Sequence, residues 1–547
     1  MSLSSLLLAG RYKSMTSYFS LAFLVGFLPI SIVTYFFVPQ KAKKYVLLVF
    51  SMAFFWLISG KLIAYLLLTV ISVHWFGLWL ERLKNESSAA AKTIPKEEKE
   101  ERKKIKSKYR TKMRAVLCFA VLLHIGVLVM LKYSPFFVTN INSLLSLVHI
   151  PLTLDIPKYM IPVGLSFFSL QALSYIIDVY RGTVKADGNI FRLALFISFF
   201  PQIVEGPICR YSQTADALWN VKQIKYDDLA IGLQRFLYGF MKKLVIADRL
   251  NAAVKEIFDN YESFDGGIIF LGAVFYTVQL YADFSGSMDA VVGIGRIFGV
   301  KMPENFRQPF FSRTISEFWQ RWHITLGTWF KDYIFYPVTM SKPMKKLTTA
   351  ARKKLGNHFG PLLAGAAALF CVWLANGLWH GAAWSYIFFG MYHFALILGG
   401  SIISPAIKFV NGKLHISPEN PVYKAMQIIR SCLLVVIGEM FFRANGLKAG
   451  LAMFTRLITH AGFTPLTKDV LTALHIDMRD IIIVCVAAAI ILAVGIFREK
   501  GIDVGEKLYS KNIVVRRAVL YSLIMFIVIF GAYGAGYVPV DPMYAEF

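Results

Sequence analysis

The chain has 547 residues, of which 56% are hydrophobic and only 17% charged, and its mean hydropathy is +0.55. A soluble domain carries about 25% charged residues, so the composition excludes an ordinary soluble protein. The net charge of +26 indicates membrane topology rather than nucleic-acid binding, because the basic residues gather in a few loops, as in cytoplasmic segments. The five cysteines are scattered without zinc-ligand spacing, so we expect neither a metal site nor a disulfide framework.

Apolar runs long enough to cross a bilayer, about 20 residues each, recur from Ser17 to Val538. They predict an all-α polytopic membrane protein, in a single domain over residues 1–547. We expect about eleven or twelve transmembrane helices, counting short or broken apolar stretches, plus a re-entrant element. The first span is Ser17–Val38 and the last is Ala518–Val538.

Two basic segments set the expected orientation. Arg82–Arg114 holds thirteen Lys/Arg against five Asp/Glu, and Ser341–His358 holds six Lys/Arg and no acid. Both are therefore predicted to be cytoplasmic. Attraction to anionic headgroups contributes about 1 kcal/mol per basic residue near the membrane surface.

Three interruptions of the apolar pattern predict breaks in the helices. Pro135–Pro157 is predicted as an apolar broken loop, and a local break is expected at Gly286. Phe199–Arg210 contains two prolines and a glycine and is too short to cross. Irregular backbone at membrane depth is tolerated only inside protein or beside a wet cavity. We therefore predict a re-entrant wall of an internal site, with Glu205 facing that cavity.

The stretch Glu317–Pro337 places His323 and Asp332 in an otherwise apolar run, and His380 lies 57 residues after His323 in a second apolar segment. Ionisable groups at membrane depth are costly, so they indicate function by default. Two histidines without a cysteine or histidine cluster favour proton transfer over a structural metal.

On a helix, His380 shares a face with Asn376, four residues earlier. The imidazole can take a proton from an attacking hydroxyl, and the amide can fix the ring tautomer or donate to an oxyanion. No acid lies between Tyr333 and Pro418. A carboxylate that orients His380 must therefore come from elsewhere, and the candidates are Asp332, Glu317, Asp283 and Asp289.

Each of these residues also has a purely structural interpretation. Either histidine could be a buried, hydrogen-bonded core residue. Trp319, Trp322 and Trp329 could form an interfacial belt. Arg321 and Lys331 could bind the phosphates of a donor or simply anchor the chain at the cytoplasmic face.

Five motifs in this order resemble the membrane-bound O-acyltransferase family, and within it the bacterial alginate O-acetyltransferase branch. They cover about residues 161–391 and begin at Ile161 (IPVGLSFF), Phe199 (FFPQIVEGP), Tyr281 (YADFSG), Phe318 (FWQRWHITL) and Gly377 (GLWHG). The resemblance implies a ring of helices around a central funnel, with His380 as the catalytic histidine and His323 as the second functional one. Glu205 departs from the small or neutral residue that relatives often carry.

The resemblance further implies acetyl-CoA as a cytoplasmic donor substrate, with no tightly bound cofactor. The acceptor would be an extracytoplasmic polysaccharide, reached through a partner protein of the SGNH type with a serine nucleophile. A bacterial inner membrane would be the location. His323 would position or protonate the donor side, with Asp332 or Asp283 in support, and Arg321, Lys331, Trp319 and Trp322 are the candidates for donor binding.

Two alternatives remain open. An acyl or D-alanyl group could come from a carrier protein instead of coenzyme A. The protein could also be a non-enzymatic transporter or flippase for a glycolipid, in which the histidines relay protons.

Overall fold

The computed structural model describes residues 18–221, 225–462 and 464–533, and their regular secondary structure is entirely helical. Eight helical stretches there are long and apolar enough to cross a membrane. The predicted all-α polytopic class is confirmed. These stretches are Lys43–Lys92, Lys99–Leu147, Gly266–Ile297, Lys342–His380, Trp384–Lys413, Pro421–Arg443, Met478–Glu499 and Ile513–Phe530.

The eight candidates are fewer than the eleven or twelve expected. Some predicted spans fold as shorter helices, such as Leu165–Arg181 with 17 residues. A helix rises 1.5 Å per residue, so this one falls just short of the roughly 30 Å hydrocarbon core. Tyr226–Met241 instead continues without a gap through the π-helical turn Lys242–Ala247 into Asp248–Asp259. The last predicted span is a helix over Ile513–Phe530, and its residues 534–538 lie outside the described residues.

The chain forms two compact units, residues 1–232 with 294–303, and residues 233–293 with 304–547. The single domain expected for residues 1–547 stays a prediction. The helices that belong to the first unit in the described part of the chain are Leu28–Phe37, Lys43–Ser59, Ile63–Lys92, Lys99–Leu128, Ser134–Leu147, Leu165–Arg181, Ile190–Ser198 and Tyr211–Trp219, with π-helical turns at Ala22–Phe27 and Val129–Tyr133.

The basic insertion of the first unit is a helical hairpin. Helices Ile63–Lys92 and Lys99–Leu128 pack against each other, and Arg102 Nε donates to the carbonyl of Ala91 at 2.9 Å near the tip. The apolar stretch after it was expected to be a broken loop, which is wrong for its first half. Ser134–Leu147 is a helix that continues directly from the π-helical turn Val129–Tyr133, with Pro135 as its second residue.

The segment Phe199–Arg210 is non-helical and buried throughout, as predicted for a wall inside the protein. Protein groups satisfy its backbone. The Tyr18 hydroxyl donates to the Phe200 carbonyl at 3.0 Å, and the Phe200 N–H donates to Ser51 Oγ at 3.1 Å. Gly164 has a φ of +76°, and the carbonyl of Ile203 lies where a Cβ atom on Gly164 would be. Glu205 is buried, and its predicted position beside a cavity stays a prediction.

The second unit holds both histidine motifs. Its described helices are Asp248–Asp259, Gly266–Ile297 (up to residue 293), Ile315–Arg321, Ile324–Phe330, Tyr336–Thr339, Lys342–His380, Trp384–Lys413, Pro421–Arg443, Leu447–Thr459, Lys468–Ala473, Met478–Glu499, Val504–Tyr509 and Ile513–Phe530, with π-helical turns at Lys242–Ala247 and Lys331–Phe335. Tyr226–Met241 enters this unit at residue 233.

The expected break at Gly286 is wrong, because helix Gly266–Ile297 runs through it. Gly286 instead permits close packing against Gly239. A Cβ atom on Gly286 would lie 2.8 Å from the carbonyl oxygen of Gly239, and one on Gly239 would overlap the carbonyl of Gly286. This approach places two adjacent lysines beside two aspartates. Lys243 pairs with Asp283 at 2.8 Å, and Lys242 pairs with Asp289 at 2.7 Å.

The basic segment Ser341–His358 is helical and forms the first half of Lys342–His380. Ser341 caps it, and Gly356 interrupts the helical geometry with φ +78°. Gly356 therefore divides the segment into a basic helix, predicted to face the cytoplasm, and a second helix that ends at His380.

Candidate active site

His323 is held in a turn between helices Ile315–Arg321 and Ile324–Phe330. Its backbone is left-handed, with φ 46° and ψ 50°, a conformation that costs a non-glycine residue roughly 1–2 kcal/mol. The side chain is only 3% exposed. A strained backbone at a buried histidine is the kind of feature that concentrates at functional sites.

Asn305 satisfies the start of the helix that follows His323. Its carbonyl accepts from the Ile324 N–H at 3.0 Å, and its side-chain Oδ1 accepts from the Thr325 N–H at 3.0 Å. The first N–H groups of a helix have no partner within the helix, so Asn305 supplies a cap from elsewhere in the chain. The same Oδ1 lies 3.2 Å from His323 Nδ1.

His380 is the last residue of helix Lys342–His380. The next residue, Gly381, packs against the Tyr386 ring so closely that a Cβ atom would overlap it. The imidazole of His380 is 4% exposed and meets the Phe442 ring edge-to-face at 5.1 Å. The glycine lets the chain turn sharply while the histidine stays packed among rings.

Trp379 joins the two histidines. The centroid of its indole lies 5.5 Å from that of His323 and 4.9 Å from that of His380. The imidazoles therefore flank one aromatic side chain, although they are 57 residues apart in the sequence.

Both histidines line one cavity of about 260 Å³. A continuous tunnel through this cavity stays a prediction. The predicted candidates Asn376, Trp319, Trp322 and Lys331 line the same cavity, together with Ser316, Gln320, Ile324, Leu326, Gly327, Thr328, Phe330, Leu369, Val372, Trp373 and Ile397.

The site is apolar around a few polar groups. Burial lowers the pKa of His323, which lies outside the eight candidate spans, to about 3, so its imidazole is neutral. Asn376 is 7% exposed, and its Oδ1 is buried with no hydrogen-bond partner among the described residues. An unpaired amide oxygen is costly in such surroundings, which indicates that a ligand or water normally meets it.

The four predicted carboxylates lie outside the residues that line this cavity. Asp283 is paired with Lys243, and Asp289 lies between Arg235 at 3.0 Å and Lys242 at 2.7 Å. Asp332 sits in the π-helical turn Lys331–Phe335. The support that these acids were expected to give the histidines stays a prediction.

Glu317 and Arg321 brace the short helix before His323. Glu317 Oε1 contacts Arg321 Nη2 at 2.8 Å, and a second carboxylate, that of Glu499, holds Arg321 Nη1. Neither residue lines the cavity. Among the described residues predicted to bind a donor, Lys331 is the cation on the cavity wall.

The fold and site define a multi-pass α-helical membrane protein with a buried cavity lined by two histidines. A sequence profile of the membrane-bound O-acyltransferase family matches residues 184–352. The chain is 30% identical to a probable alginate O-acetylase of Azotobacter vinelandii over 83% of this chain and 81% of that protein. The chain belongs to the membrane-bound O-acyltransferase family, and it is an O-acyltransferase.

Two further relatives have different named activities. A peptidoglycan O-acetyltransferase of Helicobacter pylori is 29% identical over 63% of this chain and 65% of that protein. A teichoic acid D-alanyltransferase of Bacillus subtilis is 32% identical over 43% of this chain and 58% of that protein.

Sequence reasoning missed Asn305, which lies 18 residues before His323 in the loop between two helices. No spacing rule links the two positions, because the contact depends on how the loop folds back. Composition gave no signal either, because Asn305 lies in the mainly polar segment Pro303–Pro309 (PENFRQP).

Proposed function

We propose that this protein moves an acetyl group from a cytoplasmic thioester, acetyl-CoA, toward a polysaccharide outside the membrane. The observation that carries the proposal is the shared cavity of about 260 Å³ with His323 and His380 in its wall. Its size suits a small acyl group on a narrow thiol arm. Its lining is largely apolar and aromatic, and electrostatic interactions are stronger in such surroundings than in water.

The chemistry assigned to His380 is general-base catalysis. Its neutral imidazole takes the proton of the attacking hydroxyl as that oxygen bonds to the thioester carbonyl carbon. The carbon–sulfur bond then breaks, and the thiolate leaves with the proton from the imidazolium. Such proton transfer contributes typically 10²–10⁴ in rate.

We assign Asn376 to stabilisation of the oxyanion. It lies one helical turn before His380 and lines the same cavity. Its amide N–H groups are donors for the negative oxygen that forms on the carbonyl. Lys331, at the cavity wall and near the basic helix start at Lys342, is the proposed contact for the donor's phosphates.

The acceptor side rests on the relatives' names, which are an alginate O-acetylase and a peptidoglycan O-acetyltransferase. We assign the chain to a bacterial inner membrane on the same similarity. The hydroxyl that attacks first would belong to a serine of an extracytoplasmic SGNH-type partner, which then acetylates the polymer.

The test is to incubate the purified protein with acetyl-CoA labelled in the acetyl group and to measure release of free thiol. We expect wild-type protein to release coenzyme A above the rate without enzyme, and His380→Ala to lose that release. Absence of thiol release from wild-type protein, with and without an acceptor hydroxyl compound, would contradict the proposed donor.

Two alternatives are distinguished by the same assay. A D-alanyl or acyl carrier protein as donor is favoured by the similarity to the teichoic acid D-alanyltransferase. It predicts no reaction with acetyl-CoA but turnover of the loaded carrier. A glycolipid flippase would consume neither thioester.

A further inference from the structure

Asn305 is buried at 1% exposure beside His323, and one atom of its side chain receives three contacts. Oδ1 lies 3.0 Å from the Thr325 amide nitrogen, 2.9 Å from Thr325 Oγ1 and 3.2 Å from His323 Nδ1. The other end of the amide, Nδ2, lies 3.1 Å from the sulfur of Met288. The side chain is therefore oriented by partners at both ends.

The hydrogen positions follow from one unambiguous donor. A backbone N–H can only donate, so the Asn305 atom that faces Thr325 N is the oxygen. That oxygen cannot donate, so the ring nitrogen of His323 that faces it must carry a proton. In a neutral imidazole only one nitrogen is protonated. The lone pair of His323 is therefore on Nε2.

We infer that Asn305 is a positioning residue that locks His323 in its Nδ1–H tautomer, which makes Nε2 a hydrogen-bond acceptor for substrate. The inference deepens the proposed function. It rests on that function only in taking the molecule that binds Nε2 to be a substrate of acyl transfer. A neutral His323 in this tautomer cannot donate a proton from Nε2 to the leaving thiolate. Its partner is instead an O–H or N–H of a substrate, either the attacking hydroxyl or an amide of the thiol donor's arm.

The loop that carries Asn305 is anchored on both sides. Glu304 Oε1 accepts from Arg235 Nη1 at 2.6 Å, and the same guanidinium donates through Nε to Asp289 at 3.0 Å. On the other side, the Phe306 ring meets the rings of Trp322 and Phe284, each at 5.0 Å. These contacts hold the amide in place before substrate arrives, which is the condition for preorganised catalysis.

The elements packed against His323 carry few charges that compete with this arrangement. The rings of Phe284 and Trp379 meet the imidazole at 4.8 Å and 5.5 Å. Lys331 and the titratable His380 line the shared cavity. The ion pairs of Arg235, Lys242, Asp289 and Glu304, with Arg498, line a separate small cavity on the other side of Asn305.

The test compares Asn305→Leu with Asn305→Asp in the full-length protein. Leucine removes the acceptor at similar volume. Aspartate keeps an oxygen that accepts from the same three donors. Asn251→Leu is the matched control, because Asn251 accepts a comparable part-buried bond from Gln279 at 3.0 Å and does not line the cavity.

The direct readout is the tautomer, measured by ¹⁵N and ¹³C solid-state NMR on ring-labelled histidine, with the His323 signals identified by their loss in His323→Asn. We expect Nδ1–H in the wild type, Nδ1–H in Asn305→Asp, and the Nε2–H form in Asn305→Leu. The control should retain the wild-type spectrum. Nε2–H or a charged ring in the wild type at neutral pH, or an unchanged tautomer in Asn305→Leu, would overturn the inference.

Turnover with the labelled thioester gives the second readout. A wrong histidine tautomer costs up to about 10⁴ in kcat in well-studied hydrolases, so we expect Asn305→Leu to lose at least about 10²-fold in kcat. Asn305→Asp should remain within about tenfold of wild type, with the acid limb of its pH profile moved upward by the added carboxylate. Equal losses in both variants would contradict positioning through His323. If wild-type protein uses no thioester, the proposed function fails, and the NMR result still decides the tautomer.

Discussion

The backbone at His323 is left-handed because the chain must end one short helix and begin another around a buried imidazole. Of the non-glycine residues, asparagine tolerates this conformation better than most because its short polar side chain bonds locally. We predict that His323→Ala and His323→Asn both lose transfer activity. His323→Asn should keep the higher melting temperature, by a margin corresponding to about 1 kcal/mol.

The control for this comparison is His415, which is exposed and has a similar φ of 52°. His415→Ala and His415→Asn should differ in stability in the same sense while both keep full activity. Equal melting temperatures for the two His323 variants would show that the left-handed backbone at this position does not lower the stability of the protein.

Among single residues, those that line the cavity were predictable, and the contacts that hold them in place were not. His323, His380, Asn376 and Lys331 are visible because polar groups in apolar runs are unusual. The role of Asn305 was not, because its value comes from a three-dimensional contact with Thr325 and His323. The ion pairs of Asp283 and Asp289 also depend on tertiary packing.

Helix Gly266–Ile297 and the end of Tyr226–Met241 approach each other through two glycines, Gly239 and Gly286. A methyl group on Gly239 would overlap a backbone carbonyl that cannot rotate away. We predict that Gly239→Ala lowers the free energy of unfolding by about 1–3 kcal/mol, the usual cost of overpacking. The melting temperature in detergent measures this.

Gly365 is the matched control, since it lies within helix Lys342–His380 with no atom within 4 Å of the Cβ position. Gly365→Ala should be neutral or stabilise by up to about 1 kcal/mol, because alanine favours the helix. A destabilisation of both variants to the same degree would show that the close packing of the two helices is not the cause.

The same glycines explain why element boundaries were only partly predictable. Gly286 and Pro135 are helix breakers by propensity, and both lie within helices here. Gly286 is tolerated because its small size allows a neighbouring helix to approach. Beside Pro135, the Ser134 hydroxyl donates to the carbonyl of Met130 at 2.6 Å. Helix propensity gives the free-energy cost of such a residue within a helix. It does not include the tertiary contact that offsets this cost.

The orientation of the whole molecule in the membrane can be predicted from its basic segments. The two basic segments, the hairpin around residues 93–98 and the helix start at Lys342, carry an excess of Lys and Arg. The positive-inside rule therefore predicts that both face the cytoplasm. Single cysteines placed at Lys96 and Lys345 should resist an impermeant thiol reagent added outside intact cells and react once the cells are opened.

The labelling requires a background without the five native cysteines, since Cys118, Cys371 and Cys485 are exposed. Labelling at Lys96 and Lys345 is compared with labelling of a cysteine placed at Thr464, in the loop before helix Lys468–Ala473. Reaction of Lys96→Cys but not Lys345→Cys from outside would mean that an odd number of spans separates the two segments.

The all-α polytopic membrane class was the most predictable property. The reason is that a segment that crosses the bilayer must be apolar and long enough to span it. The number of spans stays a prediction, because the eight candidate stretches include merged ones such as Lys43–Lys92, and apolar helices such as Leu165–Arg181 are too short to count as candidates. An apolar run reports burial, and it does not distinguish burial in lipid from burial in protein.

The proposed mechanism assigns the proton transfer in acyl transfer to His380. Thiol release from labelled acetyl-CoA by His380→Ala and by His124→Ala, measured beside their melting temperatures, tests this assignment. His124 is also buried, with its ring near Ser72 at 3.4 Å, so its truncation removes comparable packing in the first unit. We predict a loss of at least about 10²-fold in turnover for His380→Ala, with folding retained, and near wild-type turnover for folded His124→Ala. Near wild-type turnover by His380→Ala would contradict the account.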